Sequence, residues 1–147
     1  MTSLNAFRYS RKNGRMPKKK GVSVEYLDSI FSNYIRLRDA DEDGYVICCN
    51  CGKRLHWKEA QNGHYVKRRH QALRWDERNC HAECAECNNQ DINLGYAKFM
   101  VKRYGEDIWD KLQAQKNIHS KIMPHERQIM ANNYRKKIAQ LKKEKGL

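Results

Sequence analysis

Residues 39–52, DADEDGYVICCNCG, admit two metal readings, and the choice between them decides the fold. The first half resembles the opening of a calcium loop, with Asp39, Asp41 and Asp43 at ligand spacing and Gly44 at the sharp turn. Such a loop closes on a bidentate Glu, but Asn50 stands at that position and cannot supply a bidentate carboxylate. The second half carries Cys48-x-x-Cys51, and Gly52 suits the tight knuckle that such a pair forms. A second pair, Cys84-x-x-Cys87, follows downstream, and two CxxC pairs can meet at one tetrahedral zinc ion. Zinc is therefore expected on Cys48, Cys51, Cys84 and Cys87, one ion per chain, with DADEDG reduced to an acidic turn. Four thiolates leave no open position for water, so this zinc is structural. Cys49 would pair with Cys51 only at CxC spacing, and Cys80 reads as a small buried apolar residue.

Outward from this frame, Ser23 can cap a helix running to about Asp39, with Leu27, Ile30, Phe31, Tyr34 and Leu37 on its inner face. GYVICC and HAEC read as strands and NGHY as a strand or hairpin element. A helix should begin near residues 83–86 and contain Asn88. Further helices are expected in YAKFMVKRYG, in GEDIWDKL and after Pro124, where Met130, Tyr134, Ile138 and Leu141 form an apolar stripe. The expected organisation is a basic arm (1–22), a helix plus zinc-braced core (23–115) and a basic amphipathic C-terminal helix (116–147).

The 147 residues include 30 Lys and Arg against 17 Asp and Glu, a formal charge of +13 that draws polyanions, nucleic acid first. No apolar run approaches the roughly 20 residues of a membrane span, and the N-terminus lacks a secretory h-region. Six cysteines without such a signal point to metal ligands in a reducing compartment, hence a cytoplasmic protein.

Between the CxxC pairs lies QNGHYVKRRHQALRWDERNCHAEC, and Asn88 directly follows Cys87. This layout is similar to the ββα-metal (His-Me finger, HNH) nucleases, especially the endonuclease VII-like zinc-braced type. Together, YIRLRD (34–39), CNCG (49–52), GHY (63–65), LRWDERNCHAECAECN (73–88) and KRYGED (102–107) resemble the NinG/Rap recombination proteins of lambdoid phages over about Tyr26 to Leu141. The resemblance implies an α+β fold, a zinc-braced ββα-metal core with flanking helices and a basic N-terminal arm. It also implies a structure-selective endonuclease acting on branched recombination intermediates such as Holliday junctions and D-loops. Endonuclease VII-like enzymes carry Asp just before the base His, where this chain has Gly63.

Phosphodiester hydrolysis needs an activated water and a stabiliser of the extra charge. His64 matches the general base. Asn88 matches an oxygen ligand of a catalytic Mg²⁺ or Mn²⁺, although it also suits a helix cap. His81 is the candidate second ligand or phosphate contact; as an imidazole it would favour Mn²⁺. Asn79 is expected to tie the intervening loop through backbone bonds and orient the base. Lys67, Arg68, Arg69 and Arg74 are the expected phosphate contacts. A junction resolver needs paired cuts, so a two-fold homodimer is expected, with the first and last helices as its candidate interface. Two alternatives compete: a non-catalytic zinc-ribbon DNA-binding module, which needs neither His64 nor Asn88, and a general HNH nuclease cutting duplex DNA.

Overall fold

A computed structural model describes residues 21–90, 93–118 and 121–147. The basic arm lies outside them except for its last two residues. Helix α1 spans Val24–Asp39, and Ser23 caps it by accepting from Tyr26 N–H at 3.1 Å. The chain then runs through β1 (Tyr45–Ile47), β2 (Arg54–His56), β3 (Gln61–His64), α2 (Gln71–Arg74), β4 (Cys80–Glu83), α3 (Ala85–Asn88), α4 (Leu94–Tyr104), α5 (Ile108–Lys116) and α6 (Pro124–Lys145).

The strands form two antiparallel pairs, β1 with β2 and β3 with β4. The CCNCG knuckle is the connection of the first pair: Cys48 N–H donates to Lys53 O at 2.8 Å, and Gly52 adopts φ +79° to close the turn. In the second pair Gly63 faces His81 and His64 faces Cys80. The free side of β4 is not left open, because Ala82 O accepts from Cys49 N–H at 3.1 Å and Ala82 N–H donates to Asp39 Oδ2 at 2.8 Å.

The acidic turn is built as a local cap. Asp41 Oδ1 accepts from Asp43 N–H at 3.0 Å and from Tyr45 N–H at 2.8 Å, while Gly44 takes φ +82°. Asp39 and Asp41 thus each spend one oxygen on backbone N–H groups and the other on an arginine, Arg38 for Asp39 and Arg54 for Asp41.

Helix α6 packs along α1. Leu27, Phe31, Tyr34 and Ile35 meet Ala131 and Tyr134, with Phe31 and Tyr134 edge to face at 5.0 Å. Each such side chain contributes on the order of 1.5–3 kcal/mol by leaving water. The apolar stripes of the first and last helices therefore cover each other within one chain. A second cluster joins Leu73, Tyr96, Met100, Ile108 and Leu112, and a third joins Leu37, Val46, Trp57 and Ala82. At the far end Lys145 Nζ donates to Leu37 O at 2.7 Å and Arg38 O at 3.2 Å, so α6 caps the open carbonyls of α1. Among the described residues, no helix is long and apolar enough to cross a membrane.

Candidate active site and metal centre

The knuckle brings Cys48 and Cys51 against Cys84, where β4 ends, and Cys87 in α3. All four sulfurs lie within 4.8 Å of one another. Cys51 Sγ and Cys84 Sγ are 3.8 Å apart, and a zinc tetrahedron with about 2.3 Å bonds has edges of about 3.8 Å. Cys84 N–H points at Cys48 Sγ at 3.3 Å, the backbone-to-sulfur bond expected of a knuckle. These four cysteines could hold a zinc ion. Cys49 turns instead into the second cluster and Cys80 into the first, and burial pushes both thiols up, keeping them protonated.

Beside this cluster a cleft of about 870 Å³ opens between α1 and β3. Asp28, Ser32 and Arg36 of α1 form one wall, Gln61, Asn62 and His64 of β3 the other. Lys67, Arg68 and Arg69 rim it, and Asn88 of α3 sits at the end. His64 and Asn88 therefore line one basic hollow.

His64 Nε2 is 2.8 Å from the carbonyl oxygen of Arg74. A carbonyl can only accept, so Nε2 carries the proton and Nδ1 keeps its lone pair in the neutral ring. Burial holds the His64 pKa below the usual histidine range, with the Arg68 and Arg74 charges adding to the effect. The Arg74 carbonyl and Asp28 oppose it. The imidazole is thus neutral at pH 7 and basic at Nδ1. Asn88 Nδ2 donates to Gln61 Oε1 at 2.7 Å, and among the described residues its Oδ1 accepts no hydrogen bond. Asn62 Oδ1, in the same wall, is buried and has no hydrogen-bond partner among the described residues.

Asn79 is fully buried. Its Oδ1 accepts from Val66 N–H at 2.7 Å, and its Nδ2 donates to Val66 O at 2.9 Å and Leu73 O at 3.1 Å. These bonds stitch the 66–73 loop, which carries the three basic rim residues, to the start of β4.

Besides Asn79, two expected site residues are not in the cleft. His81 shares a face of the hairpin with Gly63, so it points away from His64. It is wholly buried, with Nδ1 3.0 Å from Tyr96 Oη and Nε2 2.8 Å from Tyr104 Oη. Tyr96 Oη donates to Gly63 O at 2.9 Å, so it accepts from His81 Nδ1–H, and Nε2 accepts from Tyr104. Burial, chiefly, lowers the His81 pKa to about 3. With both nitrogens taken, His81 is neither metal ligand nor phosphate contact; it buttresses the strand that carries His64. Arg74 is the second correction. Its Nε donates to Asp28 Oδ1 at 2.9 Å and its Nη2 to Asp28 Oδ2, so its charge is neutralised inside the protein.

Sequence reasoning passed over the α1 wall. Asp28, Ser29, Ser32 and Arg36 recur at helical spacing beside the apolar stripe, and that second, polar face was the available signal.

The sequence profile of the family described as "Bacteriophage Lambda NinG protein" matches residues 6–144. The ninG protein of Escherichia phage 933W is 27% identical over 128 residues, covering 85% of this chain and 61% of its own length. The ninG protein of Escherichia phage lambda is 26% identical over 128 residues, covering 85% of this chain and 60% of its own. The chain thus spans about three fifths of the length of these curated relatives. No solved structure is a significant match.

Proposed function

The chain belongs to the bacteriophage NinG family, and from that premise we propose that the cleft between α1 and β3 is the active site of a metal-dependent DNA endonuclease with a ββα-metal core. The observation that carries the reading is the presence of His64 and Asn88 on one basic hollow beside a separate four-cysteine cluster.

Asn88 Oδ1, which accepts no hydrogen bond among the described residues, is a hard oxygen donor suited to Mg²⁺ or Mn²⁺. When bound, such an ion neutralises charge on the scissile phosphate and on the leaving oxygen. His64 Nδ1 takes a proton from water as the water oxygen forms its bond to phosphorus. The P–O3′ bond breaks, and the 3′-oxygen leaves with a proton drawn from solvent. Lys67, Arg68 and Arg69 hold the flanking phosphates, a contribution that weakens with salt. Arg135, Lys136, Lys142 and Lys143, exposed on α6, add positive charge that would attract further DNA.

The preferred substrate in this reading is branched DNA, cut in pairs by a homodimer. The decisive experiment incubates four-way junctions and linear duplex of the same sequence with wild type and His64→Ala in Mg²⁺ or Mn²⁺. Junction cleavage by wild type, lost in the variant by about 100-fold or more, supports the reading. Equal cutting of linear duplex supports a general nuclease instead. Binding without cutting in either metal leaves a DNA-binding module.

A further inference from the structure

We infer that Asp28 is a positioning residue that sets which imidazole nitrogen of His64 is basic. The inference rests on His64 as the base, but its geometry stands independently.

The peptide unit that accepts from His64 Nε2 links Arg74 to Trp75. Both flanking side chains end on one carboxylate: Arg74 Nε and Trp75 Nε1 each donate to Asp28 Oδ1 at 2.9 Å, and Arg74 Nη2 donates to Asp28 Oδ2. The peptide plane is therefore held from both ends. Helix α2 could not do this alone, since its four residues make a single turn and an isolated turn is not stable. Asp28 stands on the 16-residue α1, which α6 packs against. Among the described residues it is the only carboxylate lining the cleft, and its oxygens face Arg74 and Trp75. A purely electrostatic ion pair would need the guanidinium alone. The indole bond adds direction, and direction is what a carbonyl aimed at an imidazole requires. With the plane fixed, Nε2 stays protonated and Nδ1 stays free. Released from the clamp, the peptide can rotate and the ring can exchange tautomers.

The test is ¹⁵N NMR of the His64 ring, with junction cleavage across pH, in zinc-loaded wild type, Asp28→Asn and Trp75→Phe. The wild-type ring should be the Nε2–H tautomer. Asp28→Asn should populate the other tautomer and slow cleavage by about tenfold or more, with zinc content unchanged; Trp75→Phe should give a smaller shift in the same direction. If Asp28→Asn fails to fold, Trp75→Phe, which keeps the ion pair, decides alone. A wild-type tautomer ratio and pH profile in the folded variants overturns the inference. Absence of cleavage by the wild-type chain, with a tautomer that still tracks Asp28, would sink the nuclease reading and leave the positioning role standing.

Discussion

Gly63 and Glu83 approach so closely that a β-carbon on residue 63 would lie 2.2 Å from Glu83 Oε2 and 3.0 Å from Glu83 Cβ. The Glu83 carboxylate fills the space beside the strand that carries His64, and its other oxygen accepts from Asn50 Nδ2 at 3.2 Å, tying the knuckle to the hairpin. No side chain fits at 63 while Glu83 stays in place. Gly63→Ala should therefore cost about 1–3 kcal/mol, read as a lowered midpoint in urea. Gly63→Asp should cost more, because it sets a second carboxylate against a buried one. An Ala variant with wild-type stability would show that Glu83 moves freely.

Acid should destabilise the protein partly through His81. Its pKa is lowered to about 3 in the fold, against about 6.5 in an unfolded chain. The unfolded state binds the proton first, so the stabilisation is complete above pH 6.5 and is lost as pH falls from there toward 3. Urea midpoints of wild type should fall more steeply between pH 6.5 and 4.5 than those of His81→Gln, with zinc content followed in parallel. Parallel slopes would exclude His81 as the titrating group.

Zinc should distinguish the cysteines sharply. Cys84→Ser should lose the ion and unfold the region around the knuckle, because binding energy at such a site is largely folding energy. Cys49→Ser and Cys80→Ser should keep one zinc per chain by native mass spectrometry, since their sulfurs lie in apolar clusters. Zinc loss in Cys49→Ser, with Cys48→Ser tolerated, would shift the ligand set by one residue.

The α1–α6 seam should carry much of the stability. Phe31 is buried against Tyr134 and Tyr34, so Phe31→Ala should cost about 3–5 kcal/mol, measured as a drop in thermal midpoint. The same change should weaken the proposed cleavage, because Asp28, Ser32 and Arg36 line the cleft from the same helix, beside its apolar stripe. Unchanged cleavage in a destabilised variant would show that α1 serves packing alone.

Much of this architecture was legible in the chain because it is written locally. Ser23 before an apolar 3.6-residue stripe specifies α1, and Pro124 before another specifies α6. The CxxC pairs state the donor set of the cysteine cluster. What could not be read depends on register and on distant partners. His81 sits in a motif-rich segment, yet a strand alternates its faces, and the pairing with Gly63 sends its ring inward. Arg74 looks like one more basic residue of its loop until Asp28, 46 residues away, claims it. Strand β2 and helix α2 are too short for periodicity to reveal them. They exist because the knuckle reverses the chain and because Asn79 gathers the loop.

The placement of the cysteines also bears on timing. The stretch from Cys51 to Cys84 encloses β2, β3, α2 and β4, and so holds His64, Arg74 and the whole basic rim. A chain leaving the ribosome exposes His64 before Cys84 and Cys87 have emerged. Closing the four-cysteine cluster therefore has to wait until the whole segment that carries His64 has been made.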